Sequence, residues 1–144
     1  MNKLLLILLV LIGFSQCKKD NPAPEPLPEV ASIVGKWRVI AYGRTVGDSL
    51  VTEPVPAGER TVYEFRYDGM LLNEKGYLPC CISQRLVIDG KLFVPKPLGP
   101  VESDPSCIFL DCAPCPQVSI TRPTADNLLI EPCTGIFMTL AREK

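Results

Sequence analysis

The chain has 144 residues, of which 47% are apolar, a formal net charge of -1, seven cysteines, fifteen prolines and no histidine. So balanced a charge offers no basic field to a phosphate backbone, and no nucleic-acid partner is expected. Without histidine the commonest general base and the commonest metal ligand are missing, the carboxylates Glu64, Asp89, Asp104 and Asp111 are scattered, and no serine nucleophile motif or phosphate loop replaces them. An enzyme is therefore not expected, and no catalytic residue, metal or cofactor is assigned.

Residues 1–16 read as a lipoprotein signal peptide. Lys3 supplies the basic start, Leu4 to Phe14 an apolar run, and Ser15-Gln16 the exit before Cys17. Eleven apolar residues are too few for a membrane-spanning helix, which needs roughly twenty, so the segment is expected to be cleaved. Cys17 is the candidate lipidation site, because lipoprotein processing links diacylglycerol to such a thiol, cuts before it and acylates the new amine. Phe14 and Gln16 depart from the usual Leu-(Ala/Ser)-(Gly/Ala)-Cys box. At roughly 0.8 kcal/mol for each buried methylene, two or three acyl chains make an effectively permanent membrane anchor. The expected location is the cell envelope, facing the periplasm or the cell surface, with the outer membrane favoured.

Residues 17–30 form a tether, since Pro22, Pro24, Pro26 and Pro28 interrupt a segment with few apolar side chains to bury. Residues 31–144 are expected to fold as one small domain.

That domain reads as all-β. Val34 to Tyr42 is the first strand, with Trp37, Val39 and Ala41 on one face. Thr61 to Tyr67 alternates strictly, placing Tyr63, Phe65 and Tyr67 on one face and Val62, Glu64 and Arg66 on the other. Asp68-Gly69 then signals a hairpin into Met70-Leu71-Leu72, and Asp89-Gly90 a second one between Arg85–Ile88 and Lys91–Val94. Late strands are expected over Gln117–Thr121, Asn127–Glu131 and Ile136–Ala141. Most of the remaining prolines fall in connectors, and no stretch carries a helical apolar stripe. The expected fold is an antiparallel meander of about eight strands closing into a small barrel.

Cys80, Cys81, Cys107, Cys112, Cys115 and Cys133 remain once Cys17 is committed to lipid, an even number that supports three disulfides in an oxidising compartment. Adjacent Cys80 and Cys81 are expected to take different partners, one bridge inside and one outside the fold if they lie in a strand. Cys133 is expected to tie the cysteine-rich loop, or the Cys80 region, to the late strands. Cys112-Ala113-Pro114-Cys115 has the spacing of a redox or thiolate metal motif, but prolines flank it, no helix follows and no second C-x-x-C is present, so structural bridges are preferred.

Ile33-Val34-Gly35-Lys36-Trp37, an aromatic strand ending Tyr67-Asp68-Gly69 and a closing strand ending Leu140-Ala141-Arg142 resemble the lipocalin-like domains of small Bacteroidota lipoproteins. The resemblance spans most of residues 31–144 and departs from the pattern in the loop from 95 to 116. It implies a barrel closed by Trp37 with Arg142, or else Arg122, packed over the ring. A fold does not name a function. The favoured expectation is an interaction module that offers the stiff loop from Leu98 to Pro116 to an envelope protein. The alternative is a carrier of a small apolar ligand in a barrel interior lined by Tyr63, Phe65 and Tyr67.

Overall fold

The computed structural model describes residues 24–113 and 115–144. The signal segment, Cys17 and the start of the tether lie outside the described residues. The strands are β1 (Gly35–Val46), β2 (Ser49–Pro54), β3 (Val62–Phe65), β4 (Leu71–Asn73), β5 (Leu86–Ile88), β6 (Lys91–Phe93), β7 (Val118–Thr124), β8 (Asn127–Cys133) and β9 (Ile136–Arg142), with a 3-10 helix at Pro105–Phe109. All belong to one sheet in the order β4-β3-β1-β9-β8-β7-β5-β6, with β2 beside β1. The sheet curls into a half-barrel.

Both Asp-Gly pairs turn the chain, by different means. Asp89 and Gly90 both have positive φ, 47° and 82°, the geometry that matches a two-residue turn to the twist of its strands. Asp68-Gly69 sits in a wider turn closed by the Arg66 amide donating to the Met70 carbonyl (2.9 Å) and the Gly69 amide to the Arg66 carbonyl (2.8 Å). A β-carbon on Gly69 would run into the Phe93 ring, so this glycine serves packing as well as its φ of 82°.

Four features depart from the sequence reading. β2 was assigned to a connector, yet it pairs with β1 from Ala41↔Pro54 to Val46↔Ser49; Gly47-Asp48 is the turn that signals it. The meander is broken because β7 runs parallel to β5, Leu86 facing Val118 and Ile88 facing Ile120. A parallel return needs a long crossover, and the cysteine-rich loop between β6 and β7 supplies it. The domain also begins before residue 31: Val30 is fully buried, and the Leu27 amide donates to the Tyr67 carbonyl at 3.0 Å. Last, Val62, on the face it shares with Glu64 and Arg66, is buried, as is Leu72, both outside the main core cluster.

The core fills the hollow of the sheet. Trp37, Phe65, Leu71, Leu86, Ile120, Leu128, Ile130 and Leu140 are buried within one cluster that also takes in Val30 and Ile33. Each such side chain contributes roughly 1.5–3 kcal/mol by leaving water. The gap beside β4 is bridged by side chains rather than by a ladder. Gln84, just before β5, accepts from the Leu71 amide (3.0 Å) and donates to the Leu71 carbonyl (3.2 Å), so its primary amide mimics a peptide group. Asp68 crosses the same gap, accepting from the Leu98 amide at 3.0 Å.

At the chain's entry, the Trp37 indole donates to the Ile33 carbonyl (2.6 Å), and the Arg142 guanidinium lies 4.1 Å from the ring centroid. Arg142 also donates to the carbonyls of Val34 (2.9 Å) and Ser32 (3.3 Å). One side chain thus joins the last strand, the tryptophan and the turn before β1. Gly35, at φ 120°, leaves room for it, since a β-carbon there would stand 3.0 Å from the guanidinium. Arg122 takes no part and reaches the Ala125 carbonyl instead.

Candidate functional site: a cross-linked apolar tip

The six cysteines pair as Cys80–Cys107, Cys81–Cys112 and Cys115–Cys133, with Cα separations of 5.2, 5.0 and 5.4 Å. Cys80 and Cys81 do lie adjacent to each other, but in a turn and not in a strand, so neither bridge runs through the core. Cys81 has φ 63°, a left-handed conformation that swings consecutive side chains apart. Two neighbouring residues thereby hold both ends of the segment from Cys107 to Cys112. Cys115–Cys133 ties the far end of the loop to the end of β8.

Between the two clamps stand Ile108, Phe109 and Leu110, exposed to 81%, 83% and 53%. The 3-10 helix that carries Ile108 and Phe109, with Leu110 as its C-cap, buries none of its side chains. Order comes instead from its start. Asp104 caps it, accepting from the Ser106 hydroxyl (2.7 Å) and amide (2.9 Å), while the Asn73 side-chain amide of β4 donates to the other carboxylate oxygen at 2.7 Å. Those bonds hold the Asp104 carboxyl below its ordinary range, the Ser106 hydroxyl contributing most. The Leu78 amide donates to the Glu102 carbonyl (2.8 Å) and the Asp104 amide to the Leu78 carbonyl (3.1 Å), fastening the loop beside the Cys80-Cys81 turn.

Asp68 fastens the other end of the crossover. It is the buried charged residue among those described, fully out of solvent, and Arg66 meets it with two hydrogen bonds of 2.8 and 2.5 Å. Burial pushes its carboxyl up, but the bonds from Arg66 and from the Leu98 and Met70 amides outweigh that and hold it below the usual carboxylate range. The result is a stiff platform: a part-buried ion pair at the start of the crossover and, further along, two covalent clamps with an apolar tip between them that contacts solvent.

The chain matches no protein-family model, no curated protein and no solved structure. The reading of the site therefore rests on its own geometry. Cys112 and Cys115 are bridged to different partners, so the C-x-x-C spacing does not form a dithiol pair. Phe65 lies wholly in the core and Tyr63 packs half-buried against it; burial pushes the Tyr63 hydroxyl's pKa up. Tyr67 lines an external cleft of about 490 Å³ that it shares with Phe65, Pro24 and Pro26. Among the described residues Tyr63 does not line that cleft, so the three aromatics do not all meet in it. Another cleft, of about 510 Å³, lies between the turn before β1 and the β5–β6 hairpin, lined by Pro28, Ser32, Ile88, Leu92 and Phe93 among others.

The sequence pointed to the loop from Leu98 to Pro116 but did not single out Ile108-Phe109-Leu110. The available signal was three consecutive apolar residues with no alternation, set between two cysteines in a proline-rich loop. No helix among the described residues is long and apolar enough to cross a membrane.

Proposed function

We propose that the chain is an envelope lipoprotein of the lipocalin-like type, anchored through Cys17, whose half-barrel presents the loop from Leu98 to Pro116 to a partner macromolecule. The observation that carries this reading is the doubly clamped tip. Three large apolar side chains held in solvent are a standing cost to a free protein, and an exposed apolar cluster of this kind marks a contact surface. The two bridges reduce the entropy that the loop loses on docking, which leaves more of the contact energy as affinity. The anchor supplies location, and the tip supplies recognition.

The alternative reading, carriage of a small apolar ligand, is supported by the cleft beside Ile88, Leu92 and Phe93 and by the one that Phe65 and Tyr67 line, since side chains fill the hollow of the sheet. A photo-crosslinking residue placed at Phe109 in the full chain, in its native envelope, tests the first reading against a control at Lys91 on β6. Discrete adducts from position 109 that are absent from position 91 support it. Equal labelling at both positions overturns it. Cys17→Ser tests the anchor separately: the chain should leave the membrane fraction, and its retention there would remove lipidation at Cys17 from the reading.

A further inference from the structure

Among the described residues β2 has a partner on one edge only. It hydrogen-bonds with β1, all six of its residues are exposed, and Leu50 and Val51 are among the large apolar side chains left in solvent. The direction of its backbone groups follows from its neighbours. The Thr45 amide donates to Gly135 on the β9 side of β1 (2.9 Å), and the Val55 amide to the Ile40 carbonyl (3.0 Å). Because these groups alternate along a strand, Ser49, Val51 and Glu53 turn theirs toward β1, and Leu50 and Thr52 aim both N–H and C=O outward. Among the described residues nothing meets those four groups.

Protein edges are ordinarily guarded by a lysine, a bulge, an internal proline, shortness or a covering segment. β4 and β6, at the two ends of the sheet, are three residues each. β2 is six residues long, has no lysine, keeps an unbroken register, and carries its proline only at the last position.

We propose that β2 pairs antiparallel with the β2 of a second copy of this chain, about a two-fold axis at Val51. In that register Leu50 exchanges both of its outward bonds with Thr52 of the second copy and the reverse, four hydrogen bonds in all, so each unpartnered group is satisfied. Val51 opposes Val51 in the closely spaced, non-hydrogen-bonded position where side chains interact best. Glu53 faces Ser49 and Asp48 faces Pro54, so no charged residue opposes another of its own sign. Registers displaced toward Pro54 are worse. A two-fold at Glu53 sets two carboxylates against each other, and one at Thr52 puts the Leu50 carbonyl opposite Pro54, which has no amide hydrogen. This self-complementarity favours a second copy over a foreign strand, and it is independent of the tip's role.

Cross-linking in the full chain, in its own membrane and under mild oxidation, tests the register. Val51→Cys should give a reducible species of twice the monomer mass. Ser49→Cys and Glu53→Cys, each alone, should not, whereas the two co-expressed should cross-link to each other. Adding Thr52→Pro to Val51→Cys should abolish the dimer, because it removes an outward amide that the single chain does not use; far-UV circular dichroism and the three native disulfides report that the fold is kept. Cross-linking at 51 no greater than at 49, a dimer that survives Thr52→Pro with the fold intact, or capture of a different protein at 51 overturns the proposal.

Discussion

From β7 to β9 the chain is held by burial: Val118, Ile120, Leu128, Ile130, Met138 and Leu140 alternate inward into one core. From Pro105 to Phe109 no side chain is buried, and position is fixed by Cys80–Cys107, Cys81–Cys112 and the Asp104 cap. The two regions teach that order and burial are separable. A segment that must keep apolar side chains in water cannot draw its stability from hiding them, so covalent links and hydrogen bonds substitute. The tip is free to be a surface because the clamps relieve it of being a core.

The comparison breaks most severely at its apolar side. Trp37→Ala removes a fully buried indole, its bond to Ile33 and the ring under Arg142, and should cost about 3–5 kcal/mol in denaturant titration. The paired variant Cys81→Ser with Cys112→Ser should cost less, about 2–4 kcal/mol. Its signature is regional: amide exchange should accelerate across 104–112 while β8 and β9 stay protected, and equal acceleration in both would show that the loop is not a separate unit.

Asp68 ties the start of the crossover at Leu98 to the turn between β3 and β4, so it tests a third kind of fastening. Asp68→Asn weakens the Arg66 pair and the Leu98 contact and should cost about 1–3 kcal/mol at neutral pH. The carboxyl's folded value lies below its unfolded one, so its contribution is complete above the unfolded carboxyl range of about 4 and disappears as pH falls through the folded value. The stability gap between the parent and Asp68→Asn should narrow on acidification, and a gap that is constant down to low pH would assign the effect to packing. The smallest effect belongs to the tip: Ile108→Ser, Phe109→Ser and Leu110→Ser together should shift stability by only about 0.5 kcal/mol in either direction, since none of the three is buried. A large loss there would make the tip part of the fold.

Strands with strict alternation or an Asp-Gly turn were legible, because period and turn chemistry are local properties; β3 and the β5–β6 hairpin are of this kind. β2 was obscured by Pro54 and Pro56 and by its lack of a buried face. Val62 and Leu72 illustrate a different limit, since residues on the outer side of β3 and β4 are buried in ways that period alone does not reveal. In the candidate site, the cysteine count and the stiff loop were legible, and the display of Ile108 to Leu110 was not.

By itself the sequence determined an all-β domain, six cysteines beyond Cys17 able to close three bridges, and a loop too rich in proline to continue the sheet. Those conclusions follow from side-chain period, parity and the missing proline amide, which need no knowledge of distant residues. Only the tertiary structure decided which cysteines meet, that β7 returns parallel to β5, that Gln84 and Asp68 bridge the gap beside β4, and that an apolar triplet is left in solvent. The physical reason is that each depends on which residues share a neighbourhood, and of the fifteen pairings of six cysteines the sequence disfavours only those that join Cys80 to Cys81.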